Sequence, residues 1–262
     1  MANALVEFWS AFAPSEPPHI HPADAEYLEQ SGRTMSHVEA RDFGSFIRSP
    51  DFGKWNGRFH LSLLPAPYLG DLDRADIFLL LINPGVALQS YLEQADGRYL
   101  ELWERTIHQR LDGTAFPNYT VDPANAWCGA YQWWEKKFRR IACELVQSTS
   151  QPSYMSALRE ISRRVAAIEL NPYHSISRPN LKPLAQLPST IAARKFVASD
   201  LLPRAAEGRA IVVVTRARAD WGIDGNVKGV HVYDNTQARS ASFSLPINGK
   251  APILDRLRSW PP

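Results

Sequence analysis

Short apolar runs alternate with amphipathic stretches along most of the chain after residue 75. The first run, Ile77 to Ile82, is continuously apolar, which is typical of a parallel strand covered on both faces. Three further runs predict strands, at residues 166–170, 210–216 and 229–234. The stretches between them carry apolar residues every three or four positions and predict helices. Because parallel neighbours need a crossover helix, this order predicts an α/β protein with a four-stranded parallel sheet.

The first 70 residues have a different pattern. Helical patches are broken by "APSEPPHIHPAD" and "LLPAPYLG", where Pro, Gly and Asp interrupt short apolar runs. This pattern predicts a mostly helical, irregular N-terminal cap packed on an α/β core of residues 75–262. No linker divides the chain, so a single domain over residues 1–262 is expected.

Composition supports a folded, soluble protein. The 262 residues are 45% apolar and 21% charged, which excludes a disordered chain. The N-terminal stretch lacks a basic region and contains Glu7, and no run approaches the roughly 20 apolar residues of a membrane span. With only two cysteines and no CxxC spacing, a reducing, cytoplasmic location without disulfides is expected.

Charge is distributed unevenly between the two halves of the chain. Residues 1–130 contain 9 Lys/Arg against 17 Asp/Glu, whereas residues 131–262 contain 20 against 10. The second half is therefore a candidate face for a polyanion, although basic helix faces that are merely solvated would give the same count.

Candidate chemistry lies where the predicted strands end. In parallel α/β sheets, functional residues collect just beyond the carboxyl ends of the strands. The four ends read "NPG", "NPYHS", "RARADWG" and "DNTQARSAS". Asn-Pro-Gly is also an ordinary turn sequence, so Asn83 could be a turn residue, and Asn171 before Pro172 could simply end a strand.

Taken together, the four strand ends resemble the uracil-DNA glycosylase superfamily, and "LLINPG" is similar to the first motif of its mismatch-specific branch. The resemblance implies a three-layer α/β/α sandwich built on a four-stranded parallel sheet. It also implies that Asn83 positions the attacking water. Gly85 falls where the uracil-selective branch has a tyrosine, which implies a more open base pocket.

The second and fourth ends extend this resemblance. Asn171 in "AIELNPYHS" matches the asparagine that hydrogen-bonds the edge of the flipped base, and Tyr173 is a candidate base-stacking residue. The segment "DNTQARSAS" is similar to the loop that enters the minor groove. On that resemblance Asn235 takes the donor position, whereas Arg239 and Ser240 contact DNA. Thr236 and Gln237 replace the usual Pro-Ser, so this motif departs from the family pattern.

The resemblance implies hydrolysis of an N-glycosidic bond without a cofactor. The departing base takes up negative charge, so a hydrogen-bond donor is needed near it; His174, three residues after Asn171, could supply one. Two cysteines cannot hold the four-cysteine iron–sulfur cluster of some branches, and His19 and His21 alone do not make a metal site.

Two other functions stay open. The first is a catalytically weak or inactive protein of the same fold that binds nucleic acid or a modified base, which the degraded fourth motif favours. The second is an unrelated Rossmann-like protein that uses the same sheet edge for a small ligand. That function would be favoured if Asn83 and Asn171 did not converge on one pocket.

Overall fold

A computed structural model describes residues 3–148, 151–234, 237–238, 242–244, 247 and 251–259. The chain divides into two compact units, each built from three separate stretches. The first unit contains the residues up to Tyr68, Ile82–Arg110 and Glu169–Phe196; the second contains Leu69–Leu81, Leu111–Ile168 and the residues from Val197 onward. Whether these units form the single domain expected from the sequence stays a prediction.

The first unit is mainly helical. Its helices are α1 (Ala4–Ser10), α2 (Pro22–Ser31), α3 (Phe43–Arg48), α4 (Ser90–Gln94), α5 (Gly97–Ile107) and α8 (Pro188–Phe196). Local sequence signals set several of their ends. Asn3 caps α1 by accepting from the backbone N–H of Leu5, and Gly32 ends α2 with a φ of 63°, a left-handed conformation that glycine adopts without strain.

Two apolar clusters hold the first unit together. One joins α2 to the residues after position 169 and consists of Leu28, Met35, Phe59, Leu61, Tyr173, Leu184 and Leu187. The other joins α3 to α4 and consists of Val38, Ala40, Phe46, Leu63 and Tyr91. The N-terminal 68 residues therefore share one packed unit with the stretches that follow the first and second predicted strands.

Within the described residues the sheet has five strands, not the four expected from the sequence. They are β1 (Tyr68–Leu69), β2 (Ile77–Leu81), β3 (Val165–Glu169), β4 (Ile211–Val214) and β5 (Val230–Val232), in the order β1-β3-β2-β4-β5. The sheet is mixed, and β4 pairs in parallel with both β2 and β5. The α/β class is thus confirmed, whereas the purely parallel four-stranded sheet is not. The sequence does not predict β1, because these two residues lie in a proline-rich stretch without a strand pattern.

The second unit also contains α6 (Gly129–Ser148), α7 (Tyr154–Arg164), α9 (Leu202–Ala206) and α10 (Pro252–Arg258), with a π-helical turn at Val197–Leu201. Apolar faces of α6, α7 and α10 pack with residues of β2, β3 and β4 into one core. Phe138 and Ile141 of α6, Leu158 of α7 and Ile77 of β2 are almost fully buried in it. Burial of the apolar side chains of this core is the main favourable contribution to the free energy of folding in this unit.

A buried ion-pair network connects Asp76, the residue before β2, to the last residue of α7 and to α10. Asp76 accepts from Arg164 Nη2 at 2.6 Å and from Arg256 Nε at 2.7 Å. Arg164 also donates to the carbonyl oxygen of Leu257 at 3.1 Å. Because Asp76 is 7% exposed, its charge depends on both guanidinium groups for stabilisation.

No helix in the described ranges is long and apolar enough to cross a membrane.

Candidate functional site

The side chain of Asn83, two residues beyond β2, is held at its nitrogen end. Nδ2 donates to Ser175 Oγ at 2.8 Å, to the Pro84 carbonyl oxygen at 3.0 Å and to the Tyr173 carbonyl oxygen at 3.3 Å. Two of these partners are carbonyl oxygens, which only accept, so the amide nitrogen must face them. No described residue donates to Oδ1, which is not among the fully buried polar atoms. Asn83 is therefore a fixed amide that presents an acceptor.

Asn171, two residues beyond β3, is held at its amide oxygen, whereas Asn83 is held at its amide nitrogen. Its Oδ1 accepts from the backbone N–H of Tyr173 at 3.1 Å, and the residue is only 1% exposed. Nδ2 is buried and has no hydrogen-bond partner in the described part of the chain. A buried donor left unpaired costs about 1–3 kcal/mol. Asn171 thus keeps a donor that a bound group or a water molecule could satisfy.

The backbone of Tyr173 joins the two asparagines. Its N–H donates to Asn171 and its carbonyl oxygen accepts from Asn83, while the N–H of Asn171 donates to the carbonyl oxygen of Ile82. The two amides that the sequence placed at neighbouring strand ends are therefore brought together.

The ring of Tyr173, a candidate for base stacking, lies in the core. It is 1% exposed, and its hydroxyl donates to Asp24 Oδ2 at 2.6 Å and accepts from the N–H of His21 at 3.1 Å. Asp24 also accepts from Ser189 Oγ. In this arrangement the Tyr173 ring is part of the core beneath the backbone that Asn83 and Asn171 contact, and a nucleobase has no access to the face of the ring.

His174 braces the same turn. Nδ1 lies 2.7 Å from the Gly85 carbonyl oxygen, and Nε2 lies 3.0 Å from the Leu64 carbonyl oxygen. Both contacts are hydrogen bonds only when the ring is protonated, whereas burial lowers the pKa of His174 and the two carbonyl oxygens oppose that shift. Neither nitrogen is left to protonate a departing base. Gly85 itself is exposed, and its Cα has open space around it.

Two ionisable residues that the sequence analysis did not select lie in the same unit. Glu169, the last residue of β3, is 8% exposed; its Oε2 lacks a partner among the described residues, and burial raises the pKa of its carboxyl well above the usual range. His60 donates its backbone N–H to the carbonyl oxygen of His174. Burial and the neighbouring His174 lower the pKa of His60 to about 4. A glutamate ending an apolar strand was the available signal for Glu169.

The remaining candidates fall on the fourth strand end. Asn235, Arg239 and Ser240 lie outside the described residues. Within the described ranges, no group of three or more His, Cys, Asp or Glu side chains could hold a metal ion. His21 instead caps α2, accepting from the N–H of Ala23 at Nδ1 and contacting the Phe8 carbonyl oxygen through Nε2.

Comparison of the chain with protein-family models, curated protein sequences and solved structures finds no match. The assignment of function therefore depends on the chemistry of the site.

Proposed function

We propose that this protein hydrolyses the N-glycosidic bond of a damaged or modified base in DNA, after the base has been flipped out of the helix. The observation that carries the proposal is the carboxamide of Asn83. Three acceptors hold its nitrogen, and its oxygen is left without a protein donor. Such an oxygen accepts one hydrogen from a water molecule and fixes the direction of that water's lone pairs.

The carboxamide of Asn83 limits the kind of hydrolysis that the site can carry out. Asn83 cannot take up a proton, so it orients water without acting as a base. The bond between the sugar C1′ and the base nitrogen breaks first, and the base leaves with the electron pair. Water then adds to C1′ and loses its proton to solvent. This order favours bases that are good leaving groups and predicts slow turnover with others.

The base is read by Asn171 in this proposal. Its oxygen is occupied by the Tyr173 N–H and its Nδ2 donor is buried, so a base with an acceptor on its edge satisfies that donor only once the segment covering Asn171 opens. The proposal carries with it the three-layer α/β/α arrangement expected from the sequence. It also assigns the basic second half of the chain to the DNA phosphates, so binding should weaken steeply with salt.

The test is base release from oligonucleotides that carry uracil, hypoxanthine, xanthine or a mismatched base, followed by alkali to cleave abasic sites. Wild type is compared with Asn83→Ala and with Asn226→Ala, a matched loop asparagine in the second unit. Cleavage that is lost in Asn83→Ala and retained in Asn226→Ala supports the proposal. Cleavage that survives Asn83→Ala contradicts the role of Asn83.

A second candidate function is binding of nucleic acid or a modified base without catalysis. The observation that favours it is His174, whose ring nitrogens both face carbonyl oxygens, so that the site has lost a proton donor. Retained oligonucleotide binding with no base release from any substrate would support this function. The unrelated small-ligand protein stays an open alternative.

A further inference from the structure

The loop after α3 presents the most exposed large apolar side chain among the described residues. Trp55 is 83% exposed, whereas the other large apolar side chains at the surface are 41–59% exposed. Two of those, Ile47 and Phe52, come from the same stretch of chain. A tryptophan ring held in water with apolar neighbours loses the free energy that its burial would provide, so a partner for its face is expected.

This loop is tied to the candidate site by successive hydrogen bonds. The carbonyl oxygen of Asn56, next to Trp55, accepts from the N–H of Ser177 at 3.1 Å. The Ser177 carbonyl oxygen accepts from Ser175 Oγ at 2.6 Å, and Ser175 in turn accepts from Asn83. Trp55 is thus carried by a loop anchored to the segment that positions the water-orienting amide.

The backbone of the loop also packs closely on that segment. A Cβ atom at Gly57 would lie 2.8 Å from the carbonyl oxygen of Arg178, so only glycine permits this approach. The position of Trp55 relative to the site is therefore set by contacts at the two residues that follow it, Asn56 and Gly57.

The surroundings of Trp55 are cationic. Residues 47–58 and 176–182 contain Arg48, Lys54, Arg58, Arg178 and Lys182, against Asp51 as the one acidic residue. Asp51 is paired with Arg58 at 2.6 Å, so these two charges offset each other and the net positive charge of the two segments comes from Arg48, Lys54, Arg178 and Lys182. An exposed aromatic ring surrounded by cations is suited to an anion that also carries aromatic groups.

We propose that Trp55 stacks on an unpaired nucleobase of single-stranded or locally opened nucleic acid, with Lys54 and its cationic neighbours contacting the phosphates. The inference rests on the proposed function for its choice of nucleic acid. It adds the stacking residue that the buried Tyr173 cannot provide. Stacking is tolerant of base identity, because every base has an aromatic face.

The experiment measures equilibrium binding of a fluorescein-labelled single-stranded oligonucleotide by anisotropy over a range of salt concentrations. The variants are Trp55→Ala, Trp55→Phe and Lys54→Gln; Ile191→Ala, 45% exposed on α8 of the same unit, is the matched control. We expect Trp55→Ala to weaken binding roughly 5- to 100-fold, Trp55→Phe to retain most of the affinity and Ile191→Ala to change nothing. Lys54→Gln should reduce the slope of log affinity against log salt by about 0.7.

Equal affinity of Trp55→Ala and wild type overturns the inference, as does the absence of any oligonucleotide binding by wild type. Self-association that is lost in Trp55→Ala, with affinity for the oligonucleotide unchanged, would instead identify a second copy of the chain as the partner and also overturn it. Base release is assayed separately on the same proteins. If Trp55→Ala weakens binding and wild type releases no base, the stacking role of Trp55 is supported and the hydrolase proposal is rejected. If wild type releases a base and Trp55→Ala binds with unaltered affinity, the hydrolase proposal is supported and the stacking role is rejected.

Discussion

Asn83 Nδ2 donates to Ser175 Oγ at 2.8 Å, and this bond connects the turn after β2 to the segment after β3. Ser175 is 2% exposed and passes its own hydrogen to the carbonyl oxygen of Ser177. The serine can therefore only accept from Asn83, which fixes the amide nitrogen inward and the amide oxygen outward. The serine hydroxyl therefore acts together with the carbonyl oxygens of Pro84 and Tyr173 in fixing the orientation of the Asn83 amide.

Ser175→Ala should loosen the Asn83 amide, which keeps only the carbonyl oxygens of Pro84 and Tyr173 as partners of its nitrogen. We expect base release to fall about tenfold, the effect of losing roughly 1.4 kcal/mol of orientation, with little change in oligonucleotide affinity. Single-turnover base release separates the two effects. Ser177→Ala, which keeps the accepting carbonyl oxygen, is the matched control; an equal loss in both variants would show that the hydrogen bond to Asn83 is not the cause.

Glu169→Gln should stabilise the protein at neutral pH. Burial raises the pKa of the Glu169 carboxyl well above its usual value. At a pH above the usual glutamate pKa, the folded protein therefore keeps this proton, whereas the unfolded chain releases it. A raised carboxyl pKa contributes stability that is present at low pH and lost as pH rises through the folded pKa. Glutamine removes that dependence, so its advantage should grow above pH 4.5 by up to about 1.4 kcal/mol per pH unit and vanish below it.

Thermal unfolding of both proteins at several pH values provides the measurement. A constant difference across the range would contradict an unpaired buried carboxyl at position 169. Base release by the same variant shows whether the carboxyl proton is also used in the reaction.

His60 should make the protein sensitive to acid. Its pKa is lowered to about 4 in the fold, so the unfolded chain binds the proton first as pH falls. Stability is complete above about pH 6.5 and is lost between there and about pH 4, by about 3 kcal/mol. Urea unfolding across this range should show the loss, and His60→Gln should flatten it. His108→Gln, at the end of α5 in the same unit, is the control for the exchange of a histidine for glutamine.

Asp76→Asn should destabilise the second unit by about 3–5 kcal/mol, since it leaves Arg164 and Arg256 without their shared carboxylate. High salt should not reproduce the loss, because the pair is shielded from solvent. Glu207→Gln breaks a pair in which both side chains are more than half exposed and should cost less than about 1 kcal/mol. Similar losses in both variants would show that burial of Asp76 does not set its contribution.

The strands that could be predicted are those with continuous apolar runs. The four predicted strands appear within two residues at every end, and the asparagines that follow the first two strands both contact the backbone of Tyr173. β1 could not be predicted because two residues between Pro67 and Gly70 give no periodicity, and its pairing depends on strands distant in sequence.

The electrostatics of the site could not be predicted, because they depend on burial and on partners far along the chain. Tyr173 is bound by Asp24, 149 positions away, and the ring of His174 contacts Leu64, 110 positions away. The exposure of Trp55 was equally hidden, since a tryptophan in a sequence is expected in the core.

The two units are threaded through each other in sequence, each made of three stretches that alternate along the chain. No single cut separates them, so a gene fragment that encodes either unit would also have to encode part of the other. Exchange of segments by recombination would break both at once. Asn83 and Asn171 belong to the first unit, and each follows a stretch of the second unit along the chain, so a fragment that contains both also contains part of the second unit.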